Sequence, residues 1–223
     1  MTDAPVISVR GEAVLEAEPE IARVSVQVQS QEGDRRKALD GLVARNAACL
    51  DLVRSYGEAV ERVETGGLSV VPLLKYRRRE GDIRAYQGTA WIKLTVADFT
   101  VLGELLTRLG DLERASVLGP EWALRPGSDV YERAARQAVH EAVARARGYA
   151  GALGCRLTGL IELSDEGLGA SDGMPQPMLV RGFAGAAEAG DGPETLALEP
   201  ETQTVRAAVE ARFTVTAPDL DPR

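Results

Sequence analysis

Residues 128–155, SDVYERAARQAVHEAVARARGYAGALGC, carry the longest helical signal in the chain. Pro126-Gly127 breaks whatever precedes it, and Ser128 or Asp129 can accept hydrogen bonds from the first-turn amides. Asp129 and Glu132 stand at capping-box spacing, and Gly154 sits where a left-handed residue ends a helix. Tyr131, Ala135, Ala138, Ala142, Ala146, Tyr149 and Leu153 recur at steps of three and four, the period of an amphipathic helix. Most of that stripe is alanine. Small side chains let a helix axis lie close to its neighbour, so the expectation is a helix laid on a sheet. Arg133, Arg136, Glu141, Arg145 and Arg147 form its solvated face.

Strand patterns flank this helix on both sides. Residues 6–17 read as extended, with Gly11 as a bulge or bend, and Val24, Val26 and Val28 alternate with polar residues in a half-buried strand. Gly33-Asp34 opens a helix to about Tyr56, with Leu39, Leu42, Val43, Leu50 and Val53 inward. A strand within 61–76 and a return strand at 84–96 flank a charged hairpin tip. Tyr86, Ala90, Ile92, Leu94 and Val96 share one face of the return strand. Asp98 caps a short helix through Leu109, and one strand or two short ones follow at 112–125, interrupted by Gly119-Pro120.

The order from 20 to 125 is strand, helix, strand, strand, helix, strand, a ferredoxin-like split βαβ pattern. The long helix and strands near 157–163 and 204–216 come after it. The fold class expected is therefore α+β. A unit at 20–125 would be inserted in a second layer built from 1–19 and 126–223, the whole making one domain over 1–223.

Composition narrows the functional classes. A chain of 223 residues can bury a real core. A formal charge of −8 argues against general nucleic-acid binding, which needs positive potential. Cys49 and Cys155 are too few for a disulfide framework, and Cys49 falls on an apolar helix face, reading as a buried free thiol. No basic n-region precedes an apolar run at the N-terminus, and no stretch approaches the roughly 20 apolar residues of a membrane span. The location read from the sequence is cytoplasmic.

Several stretches then resemble one family. ISVRGEAVLEAEPEIARVSVQV, VETGGLSVVPLLKY, YQGTAWIKLTV, VLGPEWAL, AVARARGYAGALGC and VRAAVEARFTV follow the order of the SIMPL-domain family, of unknown function. The resemblance covers about 6 to 216. It implies an α+β fold and self-assembly or partner binding, and brings no active-site residues with it. Relatives are often secreted or envelope-associated.

Candidate chemistry is sparse. His140, the only histidine, lies mid-helix among alanines and has no identifiable nucleophile, so a solvated histidine is expected rather than a general base. GLGASDG at 167–173 looks like a phosphate loop but runs into MPQPM instead of a helix. Asp165, Glu166 and Asp172 suggest at most weak cation binding. No cofactor or metal site is expected.

Two stretches suit partner contact. Residues 75–84, KYRRREGDIR, concentrate charge at the hairpin tip, with Arg77, Arg78 and Arg79 able to meet an acidic partner or to act as a solvated turn that protects an edge. Residues 165–202 are rich in Gly, Pro, Asp and Glu, yet hold Met178 and Phe183 among other apolar residues, which favours docking on a surface. The expected function is a non-enzymatic, self-assembling or protein-binding domain, a homo-oligomer without nucleic acid or a transmembrane segment. The alternatives are an enzyme or ligand binder with its site at 165–202, or a binder of an anionic partner through 75–84.

Overall fold

The computed structural model describes residues 4–74, 83–165 and 196–219. They form an α+β structure whose described residues divide into two compact units, each with its own sheet and core. One unit comprises residues 18–74, 83–125 and 196–201, the other 4–17, 126–165 and 202–219.

The larger unit runs β2 (Ile21–Glu32), α1 (Arg35–Arg54), β3 (Val60–Leu74), β4 (Ile83–Val96), α2 (Leu102–Gly110) and β5 (Ala115–Ala123). Its sheet is antiparallel throughout, in the order β3-β4-β2-β5. Strand alternation fixes the register. Ala22, Val24, Val26 and Val28 stand opposite Val96, Leu94, Ile92 and Ala90, so all eight project to one face. That face is covered by Leu42, Cys49 and Val53 of α1 and by Leu102, Leu105, Leu106 and Leu109 of α2.

Asp34 accepts from the amides of Arg36 at 2.9 Å and Lys37 at 3.1 Å, which places the start of α1. Its inward stripe is Ala38, Leu42, Cys49 and Val53, whereas Leu39 and Val43, expected inside, are exposed. Each lies one residue, or 100°, beyond a stripe position, enough to turn it off the sheet. Asp98 caps the helical turn that leads into α2, accepting from Thr100 N at 2.9 Å. β5 is one strand, with a cis Gly119-Pro120 bond and a register shift against β2.

The smaller unit is a three-stranded sheet, β1 (Val6–Ala17), β7 (Gln203–Val215) and β6 (Leu157–Asp165), in the order β1-β7-β6, with α3 (Asp129–Ala152) on one face. Ser128 caps α3 and accepts from Val130 N at 3.4 Å, so the cap lies one residue before the Asp129 of the expected capping box. Gly154, at φ +63°, follows the C-terminus.

The buried stripe of α3 is Val130, Ala134, Ala138, Ala142, Ala146 and Ala150, a strict four-residue repeat. Tyr131, Ala135, Tyr149 and Leu153, expected on that stripe, are exposed. Four residues turn about 400°, so such a stripe winds around the helix and follows the twist of a sheet instead of running straight. Gly11 is no bulge: it pairs regularly with Val209. A Cβ there would sit 2.1 Å from the Ala138 carbonyl oxygen and 2.5 Å from Ala142 N. The glycine is what lets α3 approach β1 this closely.

Candidate functional site

Every sheet edge left unpaired by the fold offers backbone groups to a partner, and the edges differ in how they are blunted. β3 contains Pro72, charged residues at Glu61, Arg62 and Glu64, and three register shifts against β4. β5 carries Pro120, which has no amide to offer, and a register shift against β2. β1 carries Arg10, Glu12 and Glu16, with Arg10 and Glu12 ion-paired at 2.8 Å. The Glu12 amide is also occupied, donating to Glu141 Oε2 of α3 at 3.1 Å.

β6 is different. α3 lies over β1 and β7 and barely reaches β6, so only Leu157 of this strand packs partly against the alanine core. Leu160, Ile161 and Leu163 are left 57%, 49% and 47% exposed. The register against β7 shifts between Leu160 and Glu162, and the interrupted alternation leaves neighbouring Leu160 and Ile161 both outside. Glu162, the one charge inside the strand before its terminal Asp165, is drawn toward β7 by Arg212 at 3.6 Å. No proline, lysine or arginine interrupts Leu157–Asp165. The result is an apolar edge with little of the charge that usually guards one.

The sequence reading places a strand near 157–163, as found, and what LTGLIELSD does not reveal is the exposure of its apolar residues. That exposure is decided by where α3 lies. Of the residues expected to meet a partner, Arg77, Arg78, Arg79, Met178 and Phe183 all fall outside the described residues. From the end of the long connection, Leu198 packs against the larger core, and a Cβ on Gly103 would come within 2.3 Å of the Leu196 carbonyl oxygen.

The reactive side chains are dispersed. His140 is exposed on α3. Cys49 and Cys155 are buried and free, one in each unit, and burial pushes the Cys49 thiol up to about 11. Among the described residues, no three or more His, Cys, Asp or Glu residues are grouped to hold a metal ion.

The larger unit also has a cavity of about 440 Å³ between α1 and the α2–β5 connection. It is lined by Val28, Gly41, Ala44, Arg45, Ala48, Leu112, Glu113 and Ala115. Arg45 Nη2 donates to Glu113 Oε1 at 2.8 Å, and Arg45 holds the Glu113 carboxyl below its usual range. Elsewhere in this unit, Tyr56 donates to Glu104 at 3.0 Å and accepts from Arg108 at 3.1 Å, tying the end of α1 to α2.

Residues 7–213 match the profile of the SIMPL family, described as a protein of unknown function (DUF541). The chain belongs to the SIMPL family. It is similar to the 26 kDa periplasmic immunogenic proteins of Brucella melitensis and Brucella abortus, each 25% identical over 181 residues, covering 74% of this chain and 68% of the relative. A crystal structure of an uncharacterized conserved protein from Listeria innocua is 15% identical and covers 92% of each chain, with a TM-score of 0.23. The Brucella relatives are named as periplasmic, which lends the expected cytoplasmic location no support. Among the described residues, no helix is long and apolar enough to cross a membrane.

Proposed function

We propose that this SIMPL chain is a non-enzymatic, self-assembling protein whose copies meet through the β6 edge. The observation that carries the reading is the exposed run of Leu160, Ile161 and Leu163 on a strand that, among the described residues, is paired on one side only. Covering an apolar edge with a like edge removes apolar surface from water and satisfies the outward backbone groups together. An antiparallel pairing of two β6 strands would be self-complementary about a two-fold axis, the commonest arrangement of homo-oligomers. The partial pairing of Glu162 with Arg212 within one chain reduces the repulsion two such strands would otherwise bring. The compartment we favour is the periplasm, from the name of the Brucella relatives.

Light scattering coupled to size-exclusion chromatography tests the reading on the full chain. The parent should run at twice the chain mass or more at high micromolar concentration. Ile161→Lys, which places a charge on the edge while leaving both described cores untouched, should run as a monomer with unchanged circular dichroism. A parent that stays monomeric, or a variant that assembles as the parent does, would refute it.

A further inference from the structure

We infer that the cavity between α1 and the α2–β5 connection is a binding site for a small amphipathic anion, a carboxylate on a compact apolar tail, held by Arg45. The inference is independent of the β6 edge. Gly41, Ala44, Arg45 and Ala48 follow one another at three, one and three residues, so they share one face of α1. On that face the side chains are too small to fill the space above Val28, and Leu112 and Ala115 close the far wall. Ala44 and Ala48 remain exposed, so the space opens to solvent. Its volume of about 440 Å³ falls within the range of small-molecule sites, and its walls are mostly apolar, as in such sites.

The charge at the mouth selects the sign of the ligand. Arg45 and Glu113 form the ion pair there, but the two are held unequally: the arginine side chain is 23% exposed and the glutamate 74%. The cation is the more buried member, and the carboxylate lies toward solvent, where Arg114 Nε also stands 3.8 Å from its Oε1. Arg45 Nη1 leans on the Gly41 carbonyl at 3.5 Å, which also keeps the guanidinium in place.

The pairing is also incomplete. Nε and Nη2 present parallel N–H groups on one side of a guanidinium, the fork that a carboxylate fills with both its oxygens. Glu113 takes only Nη2, through one oxygen, while Nε is buried with no hydrogen-bond partner among the described residues. A buried donor left unsatisfied is costly, so an anion that displaces Glu113 and draws the guanidinium toward the cavity would gain both positions of the fork. Its tail would occupy the alanine-lined space. A cation would meet Arg45 head-on, and a neutral ligand would gain only the apolar walls.

Octanoate, with octanol and octylammonium as neutral and cationic comparators, tests this on the intact chain by amide chemical-shift titration. Octanoate should shift the amides of Ala44, Ala48, Leu112 and Ala115 in a saturable way and bind at least tenfold more tightly than octanol. Octylammonium should not bind there. Ala48→Leu fills the space and should abolish the shifts. Arg45→Gln should lower octanoate affinity at least tenfold and erase its preference over octanol, and it keeps the test open should the leucine variant not fold. Glu113→Gln removes the competing charge and should tighten octanoate several-fold, a gain that a purely structural ion pair does not predict. Absence of saturable shifts, equal binding of octylammonium, or no change of affinity in Arg45→Gln or Glu113→Gln would overturn the assignment.

Discussion

Gly11→Ala is the sharpest probe of how α3 sits on its sheet. The added Cβ would lie 2.1 Å from the Ala138 carbonyl oxygen, 2.5 Å from Ala142 N and 2.7 Å from Ala142 Cβ. A carbon and a carbonyl oxygen pack no closer than about 3.3 Å, so α3 must retreat by more than about 1 Å or β1 must bend away. Two of the three clashing atoms are helix backbone, and no rotamer change relieves them. A gap of about 0.5–1 Å forfeits a quarter to a half of each dispersion contact, and the loss spreads along Ala138, Ala142, Ala146 and Ala150. Overpacking of this kind costs about 1–3 kcal/mol, and the backbone clash puts this case near about 3 kcal/mol.

The reduced entropy of the unfolded chain returns only about 0.4–1 kcal/mol. For a chain of this size, about 2–4 °C is lost per kcal/mol, so Tm should fall by about 5–10 °C. Differential scanning calorimetry reads the shift, with Gly67→Ala as the control because a Cβ there meets nothing within 4 Å. If Gly11→Ala melts with the parent and the control, the close approach of α3 to β1 is not what the glycine serves.

Two further outcomes rest on single contacts. Asp34→Ala removes the acceptor for the Arg36 and Lys37 amides and should lower stability by about 1 kcal/mol in urea unfolding, whereas Asp34→Asn should recover most of it. Cys49 should resist alkylation in the folded chain, because burial keeps its thiol protonated up to about 11 while the unfolded chain releases the proton near 9.0. The folded value is the raised one, so this contribution to stability is complete below pH 9.0 and should decline as pH rises from 9.0 to about 11, as denaturant midpoints would record.

Much of the fold was legible because its signals are local. The Val24-Val26-Val28 alternation and its Ile92-Leu94-Val96 counterpart set both the strands and the buried face, and Asp34, Asp98 and Gly154 mark helix ends by chemistry that needs no tertiary context. The α3 stripe was displaced because alanines occur on several of its faces, and the sequence offers no contrast to decide which set turns inward. Leu39 and Val43 misled for the opposite reason, being large and apolar yet one position beyond the inward row of α1.

The residue type of Gly11 suggests a bulge or bend, although its use depends on a helix more than a hundred residues away in the chain. An α+β fold of two sheets implies exposed strand edges, but which edge is apolar, and the cavity beside Arg45, were not legible. β6 has an unremarkable strand sequence until α3 fails to cover it, and Arg45 looks like any solvated helix arginine until Glu113 and three small residues of its own face are seen around the same space.

Hydrogen exchange on the full chain, followed at rising protein concentration, tests edge assembly most directly. Among the described residues β6 is paired with β7 on one side only, and outward amides without a strand partner exchange readily in a lone chain. Assembly through β6 predicts that protection of amides within Leu157–Asp165 grows with concentration, while protection in the α3-covered centre of β7 stays constant, and that Ile161→Lys abolishes the concentration dependence. Protection in β6 that is the same at every concentration, in a chain that nonetheless assembles, would place the contact elsewhere and contradict the account.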